Sequence, residues 1–201
     1  MISREEAIEL LKKFPQKESD MNHYLESEAI MRGLAQHFND VLDGHDSGEP
    51  NVNYWGMLGL LHDVDWALTR DNPSEHLGKA PEILKEAGFD EEFIEIVLSH
   101  GYGHDILPQW KDKERTKKVE HCLAAAETMT GIIYAYALMR GKRISDMKVK
   151  GLKKKFKDKA FAQNCNREII REIEKTGLEL SEFFQISIDA LKSIKGEIGL
   201  E

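Results

Sequence analysis

Residues 57–63, MLGLLHD, set an imidazole and a carboxylate side by side directly after an apolar run. Burying His62 and Asp63 unpaired would cost several kcal/mol. The pair therefore requires a partner, either a neighbouring side chain or an ion. Four more groups of the same kind stand at comparable places along the chain. His23 lies near the start of one helical segment, His76 opens another, His100 ends a third, and Glu127 sits inside the apolar stretch CLAAAETMTGII. Helix ends that meet in a bundle can converge side chains on one point. Imidazole nitrogens together with carboxylates suit Zn, Mn, Fe, Ni or Co better than Ca.

The elements that must place these groups read as helices throughout. Ser3 followed by Glu6 is a capping box, opening an amphipathic segment that ends near Phe14-Pro15. Ser19 or Asp20 caps the next segment, where Leu25, Ile30, Leu34, Phe38, Val41 and Leu42 fall at helical spacing. DGHDSGEPN is the clearest loop. Residues 54–62 are apolar nearly all round, the mark of a buried central helix. The loop TRDNPSE leads into a helix over about 76–87, with Gly88 as its C-cap. Asp90 caps EEFIEIVLSH, the longest helix spans about 113–139, and three more segments cover about 145–156, 160–175 and 178–194. No alternating pattern, internal repeat or low-complexity linker interrupts them. The expected fold class is all-α, a helical bundle in a single domain over 1–201.

The chain's 201 residues, 41% hydrophobic and 32% charged, describe an ordinary globular protein with a proper core. A net charge of −8 weighs against bulk attraction to nucleic acid or an anionic membrane. Cys122 and Cys165 give no disulfide framework, and no CxxC motif is present. The N-terminal MISREEAIELL is charged and helical in pattern rather than a signal peptide, and no apolar run approaches the roughly 18 residues of a membrane span. The expectation is a soluble, cytoplasmic protein whose partner is a small molecule. The stripe Phe183-Phe184-Ile186-Ile188-Leu191 reads as core packing or, alternatively, a homodimer surface. The run KVKGLKKKFKDK holds seven lysines, by default a solvated face, with anionic substrates as the alternative.

The order His, His-Asp, His, His, carboxylate on successive helices resembles the HD superfamily of metal-dependent phosphohydrolases, in its six-ligand variant. LLHDVDW resembles the family's signature after an apolar helix; HLGKAPEILKEAG and IVLSH resemble the stretches carrying its third and fourth histidines. The likeness extends over about 20–190 to a group of HD hydrolases that share EAIMRGLA, a TG pair after the last carboxylate (here MTG) and KKKFKDKAFA. It implies an HD-type bundle with a metal-site core at about 20–140 and C-terminal helices at about 145–195 packing on it. Its implied ligands are His23, His62, Asp63, His76, His100 and Glu127, holding one or two divalent ions among Mn, Fe, Ni, Co and Zn. The family usually ends the set on an aspartate, so Glu127 is one methylene longer than the pattern.

The implied activity is hydrolysis of a small phosphorylated metabolite or nucleotide by metal-activated water, with Asp63 catalytic as well as ligating. Asp65 and Glu75 are candidates to orient the histidines or move protons, Lys79 and Arg70 to meet the phosphate, and His104 to line the pocket mouth. Trp66 and Trp110 lie beside the expected site loops, as packing or as stacking platforms. Two other readings stay open: a two-iron oxygenase on the same ligands, and a non-catalytic metal-stabilised binding module.

Overall fold

The computed structural model describes residues 2–41 and 51–201, so Leu42, His45 and all of DGHDSGEPN but Asn51 lie outside the described residues. Among the described residues every regular element is helical, and the fold is all-α. The elements are α1 (Arg4–Lys12), α2 (Glu18–Val41), α3 (Val52–Leu61), α4 (Trp66–Thr69), α5 (Ala80–Glu86), α6 (Glu91–Ser99), α7 (Lys118–Met139), α8 (Val149–Lys157), α9 (Arg167–Arg171) and α10 (Leu180–Ser193), with 3-10 turns at Pro73–Glu75 and Glu172–Thr176.

The capping signals hold. Ser3 Oγ accepts from Glu6 N, and Glu6 reaches back to Ser3 N, closing the box of α1. Asp90 accepts from Phe93 N at the start of α6. Asp20 accepts from Lys17 N, so it serves the α2 entry from inside the helix rather than as the cap itself. Gly88 and Gly141 take the left-handed backbone that ends α5 and α7.

α3 occupies the centre, with Trp55 to Leu61 all buried. It lies against α2 so closely that a Cβ on Gly59 would stand 2.5 Å from the Ser27 carbonyl oxygen and 2.8 Å from Glu28 N. Only a hydrogen fits there. α7 also runs through the core, with Leu123, Ala125, Ala126, Met129, Ile132 and Ile133 wholly buried. By length and composition alone α7, at 22 residues, is long and apolar enough to cross a membrane, against the expectation that no stretch is; more than half of it is buried inside this bundle. One buried cluster runs from Ala7 to Leu200, drawing α8 and α10 onto α2 and α7. Phe183, Phe184, Ile188 and Leu191 belong to it and Ile186 packs against it, so the apolar stripe of α10 serves core packing.

Three expected boundaries shift for stated reasons. α7 begins at Lys118 rather than near 113, because Arg115 Nη1 donates to the carbonyls of Ser99, His100 and Tyr102 and holds 100–117 as a loop. Arg115 then pairs with Glu172 at 2.6 Å, and His121 Nδ1 meets the same carboxylate at 2.7 Å. The segment expected over 160–175 is a loop through Asn166, since Arg167 draws the carbonyls of Phe156, Phe161, Ala162 and Cys165 to its guanidinium. His76 precedes α5 instead of opening it.

Gly59→Ala should lower stability by about 1–3 kcal/mol through overpacking against backbone that cannot turn aside; thermal denaturation reads the change. Glu172 gives a pH signature. Desolvation alone would raise its pKa, yet Arg115 and His121 pull it from 4.5 down to about 2. Its stabilisation is complete above the unfolded value and is lost as pH falls toward the folded one. Glu172→Gln should therefore lower Tm at pH 7, with the gap to wild type narrowing below pH 4.5 and closing near pH 2. A gap constant across that window would refute the linkage.

Candidate metal centre

His62 and His100 are the C-caps of α3 and α6. Each spends Nδ1–H on a carbonyl of its own helix's last turn, His62 to Gly59 at 2.8 Å and His100 to Val97 at 2.7 Å. That satisfies an orphan acceptor of the helix end and fixes the tautomer. His76 donates Nδ1–H to Asp65 Oδ1 at 3.0 Å. His23 donates Nδ1–H to Thr130 Oγ1 at 3.0 Å, while the Thr130 hydroxyl donates to the Glu127 carbonyl at 2.6 Å. All four rings thus turn Nε2 inward.

Those nitrogens converge in two pairs, His62–His23 at 3.0 Å and His76–His100 at 3.3 Å. Asp63 stands between them. Its Oδ1 lies 3.1 Å from His76 Nε2, 3.2 Å from His100 Nε2 and 3.5 Å from His62 Nε2, and its Oδ2 lies 3.7 Å from His23 Nε2. Two triads result, His23-His62-Asp63 and Asp63-His76-His100, sharing the carboxylate. His62 is 0% exposed, while His23 and Asp63 keep part of their surface open to the cavity.

Paired lone pairs in a buried place repel unless a cation lies between them. Burial pushes His62 down to about 3, leaving its ring neutral. Burial also opposes charge on His76, but Asp63 and then Asp65 overcome it and raise the ring to about 10. The Asp63 carboxyl, which burial alone would raise, is held well below the usual range by the charge of His76 and by the hydrogen bonds from His100 and His76. The separations fit a metal on their own terms: nitrogen ligands about 2.0–2.1 Å from one ion stand roughly 2.9–3.3 Å apart in octahedral or tetrahedral arrangement. Four imidazoles and a bridging carboxylate are a donor set for transition ions.

Asp65 is the keystone of the surrounding layer and is 0% exposed. Besides His76 it accepts from Leu77 N at 3.2 Å, Lys79 N at 3.0 Å and Ala80 N at 3.2 Å. Four donors on one carboxylate hold residues 76–80 in place, including Leu77 at φ 67, a left-handed conformation costly for a leucine. Asp65 is thus a positioning residue. This is the orienting role of the two expected of it, and it corrects the alternative of a solvated loop residue. Glu75 orients no histidine; its carboxylate is exposed and accepts from Asn72.

Above the triads lies a cavity of about 290 Å³, lined by His23, Asp63, His76, His100, His104 and Glu127 on its polar side. Trp66, Ile106 and Leu107 form an apolar wall, and Thr128, Gly131 and Asn164 to Asn166 close the far side. Trp66 stacks edge-on against His76 at 5.3 Å, whereas Trp110 packs against Tyr102 outside the cavity. Glu127 faces this space but joins neither triad, and its Oε1 accepts from the Thr128 hydroxyl in a short contact. Burial raises its pKa, with His100 and His23 opposing.

Two expected phosphate contacts lie elsewhere. Arg70 is committed to Asp20 at 2.9 Å and to the Pro15 carbonyl at 2.7 Å. Lys79 lends only its backbone N–H to Asp65; its exposed side chain faces a different hollow beside α1 and α5. Helical spacing put Lys79 one turn after His76, but the left-handed break at Leu77 removes that turn. Thr130, Thr128 and the 164–166 segment were not singled out from sequence. The MTG triplet was the one signal pointing toward Thr130.

A family model for the HD domain matches residues 21–130, more than half of the chain, and spans every one of the six candidate ligands. The chain belongs to the HD-domain family. No curated protein and no solved structure shows a significant match. Metal binding and hydrolysis are typical of HD domains, and here the two triads supply the donor set that such a role requires.

Asp65→Asn puts an amide donor among groups that are themselves donors. Stability should fall by about 1–3 kcal/mol. Metal affinity should fall about 10–100-fold as His76 loses its orientation. Calorimetric metal titration beside a melting curve checks both, and unchanged affinity would remove Asp65 from the centre.

Proposed function

We propose that this HD-domain protein is a metal-dependent phosphohydrolase acting on a small phosphorylated metabolite or nucleotide. The observation that carries the reading is the pair of buried triads sharing Asp63 at the floor of an accessible cavity. His23, His62, Asp63, His76 and His100 hold one or two divalent transition ions, and Glu127 is the sixth ligand candidate, set across the cavity. Such ions, when bound, acidify water toward neutral pH and neutralise the charge of a phosphoryl group.

The remaining work falls to the chain's own side chains. Thr130, Gly59, Val97 and Asp65 keep the four Nδ1 protons engaged, so each Nε2 stays available without reorganisation. Among the described residues no lysine or arginine lines the cavity, so phosphate charge must be met by the ions and by neutral donors. His104, at the rim, is held below its usual pKa by burial and then by His100, and so offers a hydrogen bond rather than a charge. Trp66, Ile106 and Leu107 give the ester's organic part an apolar surface and exclude water from that side.

The test is metal content and phosphate release, measured together on wild type and Asp63→Ala. Wild type should carry one to two equivalents of a transition ion and release phosphate from an aryl phosphate; the variant should lose both while keeping its helical circular dichroism. Phosphate release unchanged in Asp63→Ala would refute the reading. Iron with oxygen consumption and no phosphate release would assign the same ligands to oxygen chemistry.

A further inference from the structure

The basic run singled out from sequence does not end as a uniformly solvated face. Lys157 and Lys159, at the end of α8 and just beyond it, line a second hollow of about 600 Å³ together with Arg167 and Arg171. This hollow shares Asn164, Cys165 and Asn166 with the metal cavity, so one strip of backbone is the wall between them. The cavity over the triads has no lysine or arginine among its described residues, while its neighbour carries four such cations and a single carboxylate, Glu168.

These cations are unequal in their commitments. Arg167 spends its donors on carbonyl oxygens and meets no carboxylate, so it fixes the wall while leaving its charge uncompensated. Arg171 pairs with Glu174 at 3.3 Å on an exposed surface, a weak interaction that leaves much of its field available. Lys157 and Lys159 have no ion pair among the described residues and are free to close on a ligand. Concave walls lined by one sign of charge concentrate the field.

We propose that this hollow receives a second anionic group of the substrate, so that the preferred ligand is a small molecule with two phosphate-like groups joined by a spacer, one over the triads and one between Lys157 and Lys159. The proposal rests on the hydrolase reading for which group is cleaved, but not for binding. The hollow lies outside the 21–130 stretch that defines the family match, so it is a feature of this chain's C-terminal segment. A shared wall favours one ligand with two groups over two independent ligands, because the second contact is then intramolecular.

The experiment titrates α,ω-alkane bisphosphonates with four to eight carbons, and the matching monophosphonates, into the full chain loaded with Mn²⁺. Phosphonates are not cleaved, so binding is read apart from turnover. Wild type should bind at least one bisphosphonate about tenfold or more tightly than its monophosphonate. K157Q/K159Q, an exposed double substitution whose folding a melting curve checks, should erase that preference and leave monophosphonate affinity within about twofold. Equal affinity for mono- and bisphosphonates at every spacer length, or a preference that survives in the variant, overturns the proposal. Aryl phosphate hydrolysis is assayed in parallel: its absence beside an intact bisphosphonate preference sinks the hydrolase reading alone, and its presence without the preference sinks this inference alone.

Discussion

The centre depends on where four protons go. Each candidate histidine can point only one nitrogen at an ion, and the choice is made by whatever claims the other. Here the claimants are two helix-end carbonyls, a buried carboxylate and a threonine hydroxyl, drawn from four parts of the chain. The result is a set of inward-facing ring nitrogens about 3 Å apart at the floor of a cavity. Packing of α2, α3 and α6 has to hold that arrangement against its own repulsion, and a cation is the natural counterpart.

This geometry dissolves an apparent choice about histidines at helix ends. Such a residue is ordinarily a cap or a half-buried ring, and a metal-ligand role looks like a competing explanation. His62 and His100 do both, because the two ring nitrogens are separated and face different ways. Capping with Nδ1 is what leaves Nε2 fixed for the ion. Asp65 plays a comparable double part: its four hydrogen bonds shape the 76–80 turn and set the His76 tautomer at once. Local folding and site assembly are therefore the same set of interactions, which is how a chain with few regular contacts between α4 and α5 still places His76.

Much of this was legible in the sequence, and the reasons are physical. Apolar spacing marked α2 and a run apolar nearly all round marked α3, and the caps at Ser3 and Asp90, the latter opening α6, are local chemistry that tertiary structure has no cause to override. The order of the ligand candidates was legible as well, because helix ends in a bundle bring distant residues together. What sequence could not supply were the places where one long side chain dictates a loop. Arg115 and Arg167 gather backbone carbonyls that would otherwise extend helices, and nothing in their spacing announces it. Lys79 and Arg70 were misplaced for a related reason: a single left-handed residue at Leu77 redirects one, and a buried aspartate at Asp20 captures the other. Thr130 escaped notice because a hydroxyl on a core helix has many uses, and only its distance to His23 selects among them.

Gly59 lines no part of the cavity and meets a candidate ligand only through its carbonyl, which accepts from His62 Nδ1, yet its missing side chain lets α2 and α3 lie in backbone contact, and those helices carry His23 and His62. The bite of that imidazole pair is thus gauged by backbone lying on backbone, a contact with almost no give. Ions differ in the span they ask of two nitrogens by a few tenths of an ångström. A side chain at Gly59 would therefore widen the span between His23 and His62 without altering a single donor atom.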